Sequence, residues 1–155
     1  MRQNNQNQSQ THQDTQLSKA GTCEDLLAIF AGSNNTEAGM PEFDEGFLEC
    51  IKRICGAGAA SIWKLDSRSR LELVLSTDIT DRSEIGKVRS ISLTRGKGIS
   101  GQSVLQRRTL TYSRKNDNSL HDDRVDKALG RQTHSMISSP IVWGDTVFVT
   151  QAVRD

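Results

Sequence analysis

Residues 95–108 read RGKGISGQSVLQRR, and the fold turns on what Gly96, Gly98 and Gly101 are for. They spell G-x-G-x-x-G, the spacing of a dinucleotide-binding loop. That reading needs a strand before the loop, a helix after it, and an acidic residue roughly 20 residues further on at the ribose. A helix does follow in ISGQSVLQRR. The other conditions fail. Two strands joined by a short turn already precede the loop, and no parallel crossover is visible. Asp117, Asp122 and Asp123 lie in a polar loop, not at the end of a second strand. No strand lysine or catalytic aspartate motif follows, which excludes a kinase-type loop. Gly98-Ile99-Ser100 is not a nucleophile elbow either, because Gln102 stands where that motif needs a second glycine. The remaining reading is mechanical. Glycines at an abrupt strand-to-helix junction let the helix start close to the sheet, with free N–H groups near Ile99 and Ser100 turned toward a small-molecule cleft.

Upstream, the period is helical and then changes. Thr22 is a good N-cap for CEDLLAIFAG, in which Leu26, Leu27, Ile29 and Phe30 form a short apolar stripe ending at Gly32. Pro41 opens a second helix, EFDEGFLECIKRICG. Phe43, Phe47, Leu48, Ile51, Ile54 and Cys55 recur there at helical spacing, with acids early, bases late and Gly56 as the stop. AASIWKLD then reads as a strand, SRSR as a turn, and LELVLST as a half-buried strand. VRSISL (88–93) alternates again and predicts a third strand. Downstream of the glycines, TLTYS is a brief strand, KNDNSLHDDRVDKALG a polar loop with one short helix, and SMISSPIV–WGD–TVFVTQAV a hairpin. This order predicts an antiparallel α+β domain, not a wound parallel sheet. The first 20 residues, rich in Gln and Asn and without an aliphatic side chain between Met1 and Leu17, are expected to be a disordered tail, with the domain covering 21–155.

Composition narrows the function. With 20 basic and 19 acidic side chains, no global field draws the chain to nucleic acid or lipid headgroups. Arg107, Arg108, Arg114 and Lys115 form the local basic cluster, and Tyr112 alone lies near it, too little for a nucleic-acid platform. No apolar run suits a bilayer, and the N-terminus is too polar for a signal peptide, so the expected location is the cytoplasm. Cys23, Cys50 and Cys55 form no C-x-x-C pair and read as core residues.

Three stretches, AASIWKLD, ISLTRGKGISGQSVLQRRTLTYS and SMISSPIVWGDTVFVTQAVRD, resemble in order and spacing the GAF domain family, over roughly residues 22–155. The resemblance implies a six-stranded antiparallel sheet with helices on both faces and a pocket under the short middle helices. It further implies a non-catalytic, small-molecule-sensing regulatory domain of a signal-transduction protein, working as a homodimer with an output domain or partner outside this chain. The pocket positions it implies are Ser61, Thr77 and Asp78, the glycine turn at Ile99 and Ser100, Arg124 and Lys127 overhanging from the polar loop, and Gln151 on the last strand. The chain departs from the family pattern in three places. The cyclic-nucleotide signature of Asn, Lys, Phe, Asp and Glu is absent, Phe148 stands where glycine is common, and the C-terminal helix that usually follows is lacking at Asp155.

Three other readings compete. A GAF-type methionine sulfoxide reductase needs an attacking thiolate at the pocket and a resolving thiol in reach, whereas all three cysteines fall in the N-terminal helices. A metal or haem sensor could draw on His121, Asp122, Asp123, Asp126 and His134. The third is a dimerisation scaffold with no ligand. The sequence names no cofactor and no particular ligand.

Overall fold

The computed structural model describes residues 43–116 and 120–154. The expected tail over 1–20 and the helix expected from Thr22 to Gly32 lie outside the described residues. Helix α1 (Glu45–Cys55) starts where the Asp44 carboxylate accepts the Phe47 N–H at 2.8 Å. It ends at Gly56, whose φ of 58° lets its N–H turn back onto the last carbonyls. Then follow β1 (Ala59–Leu65), β2 (Leu71–Ser76), α2 (Arg82–Ser90), α3 (Gly98–Gln106), β3 (Leu110–Ser113), α4 (Arg124–Leu129), β4 (Ser135–Trp143) and β5 (Thr146–Arg154). The strands form one antiparallel five-stranded sheet in the order β2-β1-β5-β4-β3.

The stretch expected to supply a further strand, Val88–Leu93, behaves differently. Residues 82–90 are helical, because Asp81 caps them by accepting the N–H groups of Ser83 (2.7 Å) and Glu84 (3.3 Å). Val88 is buried with Ile85 and Ile91 beside it, a helical stripe that the alternation of Arg89, Ile91 and Leu93 mimicked. What survives of the strand is one antiparallel bridge between Arg70 and Thr94, with Leu71 N–H donating to Leu93 O at 2.8 Å.

Alternate residues of β1 and β5 divide between two cores. Ala60, Ile62, Phe148 and Ala152 pack with Leu48 and Ile51 of α1. Trp63, Val149, Leu71 and Leu73 pack with Val88, Leu93 and Val104 from the middle of the chain. The simple alternation expected for β2 breaks at a bulge, where Trp63 pairs with Leu73 but Ile62 already pairs with Leu75. Because the side-chain period is two, the extra residue turns Leu75 to the α1 core and the buried Ser76 to the other face. Pro140 is tolerated inside β4 because β3 pairs only as far as Ser138, so its missing N–H costs no ladder bond on that edge. No helix among the described residues is long and apolar enough to cross a membrane.

Candidate functional site

The face turned away from α1 carries an unusual row. Register places Ser76 opposite Ser61, Ser61 opposite Gln151, and Gln151 opposite Ser138, across four adjacent strands. All four side chains are buried. Uncharged polar groups inside a sheet must find partners or cost free energy, and these are bonded. Trp63 Nε1 donates to Ser61 Oγ at 2.8 Å, and Ser61 Oγ donates to Gln151 Oε1 at 3.2 Å. Gln151 Nε2 donates to Ser100 Oγ. Ser138 Oγ donates to the same oxygen at 3.0 Å, and Ser103, with no exposed surface, donates to Ser100 O at 2.9 Å.

Ser100 is held there by the glycine turn. A Cβ on Gly101 would lie 2.2 Å from Thr94 O, so only glycine lets α3 lie against the strand-like segment before it. Gly98 sits at φ 65°, and a Cβ there would meet Asp122 Cβ at 2.9 Å. Its backbone therefore approaches the opposite wall closely. Lys97 gives no side-chain cap to α3. The N–H groups of Gly98, Ile99 and Ser100, the first turn of the helix, have no partner among the described residues.

Between this turn and the sheet lies a cavity of about 80 Å³. A site needs roughly 10–15 Å³ to admit one water, so the room suits a handful of non-hydrogen atoms and not a nucleotide. Its roof is the segment from His121 to Arg131, including α4, none of whose residues is fully buried. The roof's charges are paired. Asp122 takes two hydrogen bonds from the Arg124 guanidinium (2.8 and 2.6 Å), which hold its carboxyl below the ordinary carboxylate range and raise Arg124 in turn. Asp126 Oδ2 meets His121 Nε2 at 3.0 Å and accepts the Thr133 N–H at 2.8 Å, while the His121 ring stacks on Tyr112 at 4.5 Å. Arg131 bonds Asp78 Oδ2 and, at 3.2 Å, Asp78 O. Lys97, which also lines the cavity, has no charged partner among the described residues.

Of the positions nominated from sequence, Ser61, Asp78, Ile99, Ser100 and Gln151 line this cavity together. Thr77, Arg124 and Lys127 do not. Thr77 Oγ1 accepts the Ala60 N–H at 3.0 Å and closes the β1–β2 ladder. Arg124 turns to Asp122 and to Ser92 O, and Lys127 pairs with Asp123 at 2.8 Å on the outer surface. Sequence reasoning missed Lys97, Ser103, Arg131 and Ser138. Ser138 shares Ser61's parity across the strands, a signal that register alone reveals; Arg131 lies in a loop and meets its partners far along the chain. Among the described residues no group of three or more His, Cys, Asp and Glu side chains is placed to hold a metal ion. Cys50 and Cys55 stand on α1 and do not line the cavity; Cys23 lies outside the described residues.

No protein-family model and no curated protein matches the chain. Solved structures do. The GAF domain of a phosphoenolpyruvate-protein phosphotransferase from Coxiella burnetii superposes with a TM-score of 0.59 at 16% identity, over 83% of this chain and 77% of that one. The fold is a GAF fold. The free methionine-R-sulfoxide reductase of Neisseria meningitidis, solved with its substrate, matches at 0.56 and 15% identity over 84% of this chain and 70% of its own. The Staphylococcus aureus NreA protein, solved with its nitrate-binding site mutated, matches at 0.52 and 14% identity over 70% and 80%. At such identities the GAF fold is what these proteins share with the present chain.

Proposed function

We propose that this GAF domain is a non-catalytic regulatory module that binds a small molecule carrying an acidic group and passes its occupancy to an output domain or partner, as a homodimer in the cytoplasm. The observation that supports this most is the distribution of unused hydrogen-bonding capacity around the cavity. Every lining carboxylate already has a partner, whereas the Gly98, Ile99 and Ser100 amides have none among the described residues, and Lys97 at the cavity mouth has no charged partner there. Donors clustered at a helix start favour an anion, and the volume favours a small one. The two described thiols lie on the far side of the sheet from this space, which speaks for binding over thiol redox chemistry.

The test is a thermal-shift titration of the full chain with acetate, nitrate, pyruvate, small amino acids and cyclic nucleotides at constant ionic strength. A ligand at about 100 times its dissociation constant adds roughly 2.7 kcal/mol. The expected result is a saturable rise with a small carboxylate or oxoanion that Lys97→Met weakens and Ser100→Ala weakens further. No rise with any acid, from a protein that melts cooperatively, would leave the ligand-free scaffold as the better reading.

A further inference from the structure

The roof over the cavity is assembled internally and fastened to its surroundings at few points. Within it, Arg124 pairs with Asp122, Lys127 with Asp123, and His121 Nε2 meets Asp126 Oδ2, so many of the segment's polar bonds stay inside it. Its outward ties are the Val125 and Leu129 contacts with the core, which include α2 through Val88, the two Asp126 bonds to Thr133, the stack of His121 on Tyr112, the Arg124 bond to Ser92 O, and Arg131. Among the polar ties, Arg131 differs in reaching two elements at once. Its Nη1 bonds the Asp78 carboxylate in the loop after β2, while Nη2 bonds Asp78 O and stands 3.3 Å from Glu84 Oε1 on α2. Asp78 is itself bonded by Ser76 Oγ at 2.6 Å, at the end of the buried polar row. Among the described residues, Glu84 supplies the side-chain hydrogen bond that ties α2 to a distant part of the chain; the helix's other side-chain bonds are to Asp81 and within its own last turn.

We propose that Arg131 couples the roof to α2, so that α2 loosens whenever the roof lifts to exchange the contents of the cavity. The inference builds on the reading of the cavity as a ligand site, and names how occupancy would leave it. One guanidinium serves two carboxylates, Asp78 and Glu84, each about a third exposed. If Arg131 moves with the roof, both lose their cation and repel each other across the gap. A roof held down by an occupant keeps Arg131 in place and α2 docked. An empty cavity leaves that closure to the outward ties alone, and local opening of this kind is drawn from the weakly packed parts of a fold.

The test needs no ligand: amide hydrogen exchange of the full chain, followed segment by segment. Arg131→Ala is expected to speed exchange in both α2 and α4 by tenfold or more, with β1 and β5 unchanged. Arg131→Lys, which keeps the charge but loses the fork, should fall between. Glu84→Gln should speed α2 with a smaller effect on α4. Lys127→Ala, which breaks a pair inside the roof, should leave α2 as it was. If Arg131→Ala leaves α2 unchanged, or speeds every element equally, the coupling does not exist, even where an anion still binds. If the acid titration fails while α2 and α4 loosen together, the coupling stands and the ligand reading falls.

Discussion

The two faces of the central sheet use the same strands for opposite purposes. Toward α1, β1 and β5 present Ala60, Ile62, Phe148 and Ala152, and the Phe43 ring meets Phe148 edge-on at 4.9 Å. That side is close-packed hydrocarbon. One residue along, the same strands present Ser61 and Gln151, which continue through Ser76 and Ser138 into a hydroxyl and amide network that ends at Ser100 and Ser103. None of the buried side-chain nitrogen and oxygen atoms among the described residues lacks a partner. A polar row contributes little net stability, since each bond exchanges with water for about 1 kcal/mol, so stability alone does not explain it. Under the function proposed above, its placement beneath a cavity accounts for it: hydroxyls and amides fixed by mutual bonds would be preorganised to read a polar occupant.

The contrast breaks most severely on the hydrocarbon side. Phe148→Ala, deep under α1, is expected to cost about 3–5 kcal/mol, read as a shift in the urea midpoint, while ligand affinity measured below the transition stays as it was. Gly101→Ala follows at about 3 kcal/mol, because a methyl cannot share space with Thr94 O; here stability and binding should fall together, since Ser100 moves with the turn. Gln151→Leu sharpens the comparison. It removes one bond each from Ser61 and Ser100, so about 1–3 kcal/mol is expected, with binding lost far out of proportion to stability. A Gln151→Leu protein that binds as tightly as the parent would mean that the polar row is structural only.

How far these roles were legible depends on whether their cause is local. The α1 helix announces itself through its stripe and caps, and β1 and β5 through residue type; the glycine turn is legible because few other uses of three glycines survive scrutiny. The helix over 82–90 was also signalled, by Asp81 followed three residues later by Glu84, a cap pattern that the alternation of Arg89, Ile91 and Leu93 obscured. The bulge at Val74 has no comparable mark, yet it decides that Ser76 joins the polar row. Half of the pocket is likewise non-local. Ser61 and Gln151 could be nominated through family resemblance, but Ser138 and Arg131 act through register and through partners about fifty residues away. The same locality misled the other way for Arg124 and Lys127: charged residues near the cavity in sequence satisfy each other's neighbours and turn outward.

The smallest expected effect probes the boundary between the two regimes, where a roof charge stabilises the fold without belonging to either core. The Asp122 carboxyl is held below its ordinary value by the Arg124 guanidinium, with the Arg124 N–H adding at 3.3 Å. A depressed carboxyl pKa stabilises the folded state above the unfolded value, near pH 4, and that contribution is lost as pH falls through the folded value. Because Arg124 is nearly half exposed, solvent screening leaves it at no more than about 0.5–1 kcal/mol. Asp122→Asn should therefore lower the urea midpoint slightly at pH 7, and the gap to the parent should close between pH 4 and pH 2. A gap that persists at pH 2 would trace the loss to altered packing against Gly98, whose tight approach to Asp122 would then matter more than the charge.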